Sequence, residues 1–312
     1  VENVVILFSG DSGDGMQLTG DQFTNTSAIL GNDVSTFPDF PAEIRAPAGT
    51  LAGLSGFQVN FSSEELHTAG DAPQVLVAMN PAALKANLSL VESQGTIIVN
   101  LDAFTPNNLR KAGYEDNPLD FPDNFTDYDM HKVSLTSMTR TALKEIDSLS
   151  TKERDKCKNA LALGLVYWIF DRPLETTENF YKQKFAKIPY IAEANIRALR
   201  AGYNYGLTTE TFQNRTRIAS RKGVKPGKYR RITGNDAIVY GLVTSARKAG
   251  IPLFYGSYPI TPASNILEGL AALKNFDVRT FQAEDEIAAI GSAIGASFGG
   301  CLAVTASSGP GI

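Results

Sequence analysis

The sequence is sparing with the residues that most often do chemistry unaided. Its 312 residues include two cysteines, two histidines and a single tryptophan. Cys157 and Cys301 lie far apart and form no C-x-x-C, so they cannot by themselves hold an iron–sulfur cluster or a structural zinc. Such usage fits a reducing compartment and predicts a cytoplasmic protein. His67 and His131 stand in no recognisable catalytic context, so a nucleophile at Ser12 in the stretch GDSG lacks a base and an orienting carboxylate. No leader-like segment precedes the first apolar run, VVILF, at residues 4–8. Residues 287–312 carry no charge, but they are built from Gly, Ala and Ser and break at Gly299-Gly300. They predict a buried helix followed by a buried strand rather than a membrane span. A net charge of −4 argues against nucleic acid as a partner.

What is present is the composition of an α/β protein: 43% hydrophobic, 20% charged, with 27 glycines. The length exceeds what one core usually supports, which predicts two domains. VLVAMN, PAALKANLSLVES and TIIVN form a strand–helix–strand unit and imply parallel strands. VSTFPDFPAEIRAPAGT reads as a proline-punctuated loop, and LSGFQVNFSS as a strand with one exposed face. From about 135 to 212 the pattern is helical, with KCKNALALGLVYWIF as the most apolar helix. Residues 213–232 hold eight Lys or Arg and no acid. Their Gly and Pro content favours a linker lying on an acidic neighbour over a nucleic-acid stripe. An α/β rhythm then restarts over 233–312, too short to cover both faces of an open sheet, so the biological chain is expected to continue.

Three stretches draw attention. GDSGDG, residues 10–15, follows a strand. Its GDG imitates the start of a thiamine–magnesium anchor, but no asparagine follows at the required distance. As G-x-x-G-x-G it is either an anion-binding loop at a helix N-terminus or a ligand-free tight turn, and both readings stand. YPITPASN, residues 258–265, holds Thr261 between Pro259 and Pro262 at the end of a strand, where open α/β sheets place ligands. The plain alternative is Pro262 starting a helix with Thr261 as its N-cap. QAEDEIAAIGSAIG, residues 282–295, sets Glu286 against an uncharged helix. Gly291, Gly295 and Gly299 lie on one face and predict close packing there. A carboxylate at such a buried boundary suits holding or passing a proton.

YPITPAS, EDEIAAIGSAIGAS and TASSGPG together resemble the pyrimidine-binding domain of 2-oxoacid:ferredoxin oxidoreductases. FSGDSGDGM, FPAEIRAP and EANIRALRAGY are similar to the gamma domain of the same family. The order resembles the fused gamma–alpha subunit of 2-oxoglutarate-type enzymes, with Ala263 in place of the first serine of the usual YPITPSS. The resemblance implies an α/β gamma domain with a partly parallel sheet and a helical C-terminal part over 1–212. A basic linker at 213–232 and the incomplete alpha pyrimidine-binding domain over 233–312 follow.

It further implies a thiamine diphosphate enzyme split across subunits. Glu286 would bond the aminopyrimidine ring and promote removal of the cofactor's C2 proton. Thr261 would hydrogen-bond the substrate carboxylate or carbonyl. Tyr258, Pro259, Ile260, Ser307, Ser308 and Gly309 would line the cofactor cavity. Gly10, Gly13, Asp14, Gly15 and Arg45 form a candidate coenzyme A loop. No metal site is expected on this chain, because Mg²⁺ and the 4Fe–4S cluster would sit on a beta subunit. The chain would be inactive alone and would assemble as a dimer of heterodimers. It would turn a 2-oxoacid and coenzyme A into acyl-CoA and CO₂, with electrons passing to ferredoxin. The fused order favours 2-oxoglutarate, with pyruvate and branched-chain oxoacids as alternatives. A non-catalytic assembly subunit, and an NAD-dependent dehydrogenase resting on the glycine loop alone, are the competing readings.

Overall fold

The computed structural model describes residues 1–11, 13, 15–40, 53–209 and 215–311. The chain divides into two compact units, Val1–Pro226 and Gly227–Ile312.

In the first unit, β1 (Asn3–Asp11), α1 (Met16–Ile29), β2 (Asp33–Asp39), β3 (Leu54–Ser62), β4 (Val75–Ala78), α2 (Pro81–Asn87), β5 (Thr96–Asn100), α3 (Pro106–Lys111) and β6 (Asp129–Val133) come first. Helices α4 (Leu135–Ala142), α5 (Thr151–Lys156), α6 (Lys158–Ile169), α7 (Glu175–Lys184) and α8 (Pro189–Thr208) follow. The six strands form one sheet in the order β2-β3-β1-β4-β5-β6. β1, β4, β5 and β6 are mutually parallel, and β3 runs antiparallel to both β1 and β2.

VVILF is apolar on both faces because both faces are covered. Ile6 and Phe8 enter a core with α1, α6 and α8, while Leu7 enters a second core with α2 and α3. Within the first core Phe23 of α1 meets Phe61 of β3 edge-on at 5.0 Å. The Tyr167 hydroxyl, fully buried, meets Thr26 and Thr177 at 2.8 and 2.7 Å and donates to the Gln22 carbonyl.

Three expectations are corrected here. The segment read as a loop from Val34 opens as a strand, because β2 finds antiparallel pairing along β3. Pro38 is tolerated since β2 is the sheet edge. The remainder of that segment, with Glu43 and Arg45, lies outside the described residues, as do Ser12 and Asp14. Second, β3 has no open face. Gln58 Nε2 donates to the carbonyls of Ala69 and Gly70, and Asn60 to that of Thr68, so the loop after the strand folds over its polar side. The third correction concerns the second unit.

Part of the basic stretch is tied down within the first unit. Arg215 pairs with Asp171 and lies over the Trp168 ring, and Arg221 bridges Asp33 and Glu65.

The second unit contains α9 (Gly234–Ala249), β7 (Leu253–Ser257), α10 (Ser264–Ala271), β8 (Val278–Gln282), α11 (Glu286–Phe298) and β9 (Leu302–Val304). The strands form a parallel sheet in the order β8-β7-β9. A capping box of Thr233 and Asp236 starts α9, and Gly250 in the left-handed region ends it. Helix α11 was expected to be buried with its glycines in close packing. Only Ala289 and Ala293 are buried, while Ile287 is 80% and Phe298 96% exposed. A Cβ on Gly291 or Gly295 would meet nothing within 4 Å. The close approach is made by Gly256 of β7 instead. A Cβ there would come within 3.1 Å of the Ala289 carbonyl oxygen and would collide with Ser292 Oγ. No described helix is long and apolar enough to cross a membrane.

Candidate functional site

The carboxyl ends of the parallel strands in the second unit converge on Tyr258. Ser257, the last residue of β7, is anchored from both neighbouring strand exits. Its carbonyl accepts from Ala283 N at 2.8 Å, and its hydroxyl donates to the Ala306 carbonyl at 3.1 Å. Tyr258 follows directly, and its hydroxyl donates to Oε1 of Glu286 at 2.6 Å. Bonding to that carboxylate pushes the Tyr258 phenol above its ordinary range, and desolvation adds to the effect.

Glu286 is the first residue of α11, where an acid commonly serves the helix dipole. The capping is done by its neighbour instead, since Asp285 Oδ1 accepts from Ala288 N at 2.7 Å. The Glu286 carboxylate is therefore available to the cleft that it lines. That cleft, of about 280 Å³, is walled by Tyr258, Ile287, Ala289, Ile290, Ala306 and Ser307, among others. Ser307 Oγ is buried there, beside the Tyr258 hydroxyl. Gly311 closes one side, since a Cβ on it would lie 2.6 Å from Glu286 Cγ and would collide with Ser307 Oγ.

Of the residues singled out in the sequence, the structure brings Tyr258, Glu286 and Ser307 to this cleft. Pro259, Ile260, Thr261, Ser308 and Gly309 are not among its lining residues. Thr261 is exposed and is not an N-cap. α10 begins at Ser264 with Ala263 in the cap position, because Pro262 sits in a turn ahead of the helix. The cleft suits a flat heteroaromatic ring with a basic nitrogen. Its walls are mostly apolar, with one carboxylate and the hydroxyls of Tyr258, Thr305 and Ser307. No group of three His, Cys, Asp or Glu that could hold a metal occurs among the described residues.

A second polar locus lies in the first unit, at the carboxyl ends of β1 and β4. After β1 the chain passes through α1 toward β2 on one side. After β4 it passes through α2 to β5 on the other, so a crevice opens between the two strand ends. Gly13 and Gly15 have φ of 91° and 79°, and Gly15 is the N-cap of α1, with no side chain capping it. A Cβ on Gly15 would approach Asn159 Nδ2 to 3.0 Å. Across the crevice Asn80 Nδ2 donates to Asp11 Oδ1 at 2.7 Å, while Asn80 Oδ1 caps α2 by accepting from Ala83 N. Gly10 pairs with Ser55 inside the sheet, and Asp14 and Arg45 lie outside the described residues. Nothing in the local spacing signalled the Asn80–Asp11 bond, which depends on the pairing of β1 with β4. His131 is accounted for elsewhere, buried on β6 with Nε2 2.8 Å from Asp129 Oδ2.

Comparison with known proteins places these loci in context. Residues 5–205 match the family described as pyruvate ferredoxin/flavodoxin oxidoreductase. Residues 245–312 match the thiamine diphosphate-binding family of pyruvate flavodoxin/ferredoxin oxidoreductases. The 2-oxoglutarate oxidoreductase subunit KorA of Mycobacterium tuberculosis is 54% identical over the whole of this chain, which spans 47% of that protein. The ketoisovalerate oxidoreductase subunit VorB of Methanothermobacter thermautotrophicus is 45% identical over 82 residues, 26% of this chain and 22% of that protein. Among solved structures, a 2-oxoglutarate:ferredoxin oxidoreductase from Magnetococcus marinus, with 2-oxoglutarate, coenzyme A and succinyl-CoA bound, superposes with a TM-score of 0.72 at 28% identity. The match covers all of this chain and 48% of that one.

Proposed function

This chain belongs to the 2-oxoacid:ferredoxin oxidoreductase family, and on that premise we propose that it supplies the pyrimidine-binding half of a shared thiamine diphosphate site. The observation that carries the reading is the Glu286 carboxylate, held by Tyr258 in a cleft at the strand ends of the thiamine diphosphate-binding unit. The reaction is conversion of a 2-oxoacid, coenzyme A and two oxidised ferredoxins to acyl-CoA, CO₂, two reduced ferredoxins and a proton. 2-Oxoglutarate is the favoured substrate because the relative that aligns over the whole chain acts on it. The ketoisovalerate relative keeps branched-chain oxoacids as the alternative.

Thiamine diphosphate, when bound, supplies a carbon nucleophile for the 2-oxo carbonyl and a sink for the electrons left when CO₂ departs. The work of this chain is narrower. Glu286 bonds the ring nitrogen of the pyrimidine and holds or delivers a proton there. Ser307 and Ala306 line the space the ring would take. Thr261, with Pro259 and Ile260, lies outside the cleft lining and would meet the substrate, donating to oxygen as charge shifts onto it.

The diphosphate with Mg²⁺ and the 4Fe–4S cluster fall to a beta partner subunit, in a dimer of heterodimers. Ile287, Ile290, Ile294 and Phe298 on α11 are exposed among the described residues, an apolar face that further protein would bury. On this reading the chain is inactive without that partner. Coenzyme A would use the crevice at Gly13 and Gly15, with Asp14 between them in sequence and Arg45 as a further candidate. Its pyrophosphate would meet the N-terminus of α1. Crevices at such topological switch points are where open sheets bind ligands, and the Magnetococcus marinus relative was solved with coenzyme A.

Glu286→Gln in the complete enzyme tests the reading. Oxoacid-dependent viologen reduction should fall about 100-fold or more, while native mass spectrometry still finds the partner subunit bound. Full activity in that variant would leave a non-catalytic assembly role as the better account.

A further inference from the structure

We propose that Tyr258 is the positioning residue of this site: its phenol engages Oε1 of Glu286 and so commits Oε2 to the pyrimidine ring. The inference rests on the reading of Glu286 given above. At 2.6 Å the contact has the length of an O–H···O⁻ bond, the charge-assisted kind whose acceptor is ionised.

The pair joins two elements that the rest of the unit holds rigidly together. Tyr258 leaves β7 at Ser257, which is tied to the exits of β8 and β9 through Ala283 N and the Ala306 carbonyl. Glu286 opens α11, which lies against β7 closely enough that a Cβ on Gly256 would come within 3.1 Å of the Ala289 carbonyl oxygen. The tyrosine therefore reaches the carboxylate from a fixed base. Asp285 performs the capping that would otherwise draw Glu286 toward its own helix N-terminus. A glutamate has several rotamers, and one at an exposed helix start would sample them. One strong bond to Oε1 selects among them before any ligand arrives.

The test is Tyr258→Phe in the complete enzyme, read beside Glu286→Gln. Expected for Tyr258→Phe are a kcat about 10-fold lower with the KM for the oxoacid unchanged, weaker retention of thiamine diphosphate, and a smaller near-ultraviolet circular dichroism band from the bound pyrimidine ring. Substitution of 3-fluorotyrosine at 258, which keeps the shape and strengthens the donor, should move the band the other way. This second variant decides the matter if the phenylalanine form assembles poorly. A band and kcat unmoved by either change at Tyr258, with Glu286→Gln inactive, would overturn the role of Tyr258 and leave that of Glu286 standing. Wild-type behaviour of Glu286→Gln as well would overturn the underlying reading.

Discussion

Gly164 of α6 and Gly202 of α8 sit at one helix crossing, each against the other helix's backbone. A Cβ on Gly164 would collide with the Leu199 carbonyl oxygen, and one on Gly202 with the Leu161 carbonyl oxygen. The glycine in EANIRALRAGY, part of the stretch that carried the family resemblance, is thus explained by packing. Backbone carbonyls cannot rotate away as a side chain would. Gly164→Ala or Gly202→Ala should therefore lower stability by about 1–3 kcal/mol through overpacking, against a gain of about 1 kcal/mol in helix propensity. The urea midpoint of the first unit measures the balance. An unchanged or raised midpoint would contradict so close a crossing.

Gly256 makes the comparable contact in the second unit, and it couples packing to the site. Gly256→Ala should push α11 away from β7 and lengthen the Tyr258–Glu286 bond, because those residues leave the two elements that would part. The expected result is weaker binding of thiamine diphosphate with the oligomer intact. Adding Ser292→Ala removes the one colliding group and should recover part of the loss. Titration of the apoenzyme with thiamine diphosphate checks both variants. Equal affinity in wild type and Gly256→Ala would mean that the helix position does not govern the cleft.

Much of this architecture could be read from residues alone, and the unread parts share a cause. VVILF, TIIVN and the glycine turn declare themselves locally, since apolar runs and G-x-x-G-x-G need no distant partner to be recognised. The motif EDEIAAIGSAIGAS singles out Glu286 as an acid at the start of an uncharged helix. β2 was missed because a proline-bearing edge strand looks like a loop until β3 is known to lie beside it. The α11 glycines present a related case. G-x-x-x-G spacing shows which face is smooth, but not whether anything lies on it, and the tight contact fell to Gly256 on a strand. The Tyr258–Glu286 bond spans 28 residues and exists only once β7 and α11 are packed.

Tyr167 sits at the centre of a buried hydroxyl network in the first unit. Tyr167→Phe keeps the ring against Phe23 but leaves Thr26, Thr177 and the Gln22 carbonyl short of a partner. A loss of about 1–3 kcal/mol is expected, the usual result of stranding buried polar atoms. Thr26→Val added to Tyr167→Phe removes one of the stranded groups and should destabilise by less than the two single effects combined. Additive urea midpoints would show that the hydroxyls act independently.

Cys157 gives the first unit a predictable weakness in alkali. Its thiol is buried, and desolvation, with the nearby Glu153 charge adding, pushes its pKa up to about 12. In the unfolded chain a cysteine ionises near about 8.5. Below that pH both states are protonated and the contribution to stability is complete. As pH rises from there toward about 12, the unfolded chain releases a proton that the folded chain keeps, and stability falls by up to about 1.4 kcal/mol per pH unit. Buried Tyr167, also raised to about 12, joins only above the ordinary tyrosine range near about 10. The cysteine is therefore isolated between about pH 8.5 and about 10. Cys157→Ala should flatten the decline of the urea midpoint across that window. In the native protein a thiol-specific reagent should label the half-buried Cys301 first and reach Cys157 only on unfolding. An identical pH slope in the alanine variant, or rapid native labelling at both sites, would show that Cys157 is not held protonated by the core.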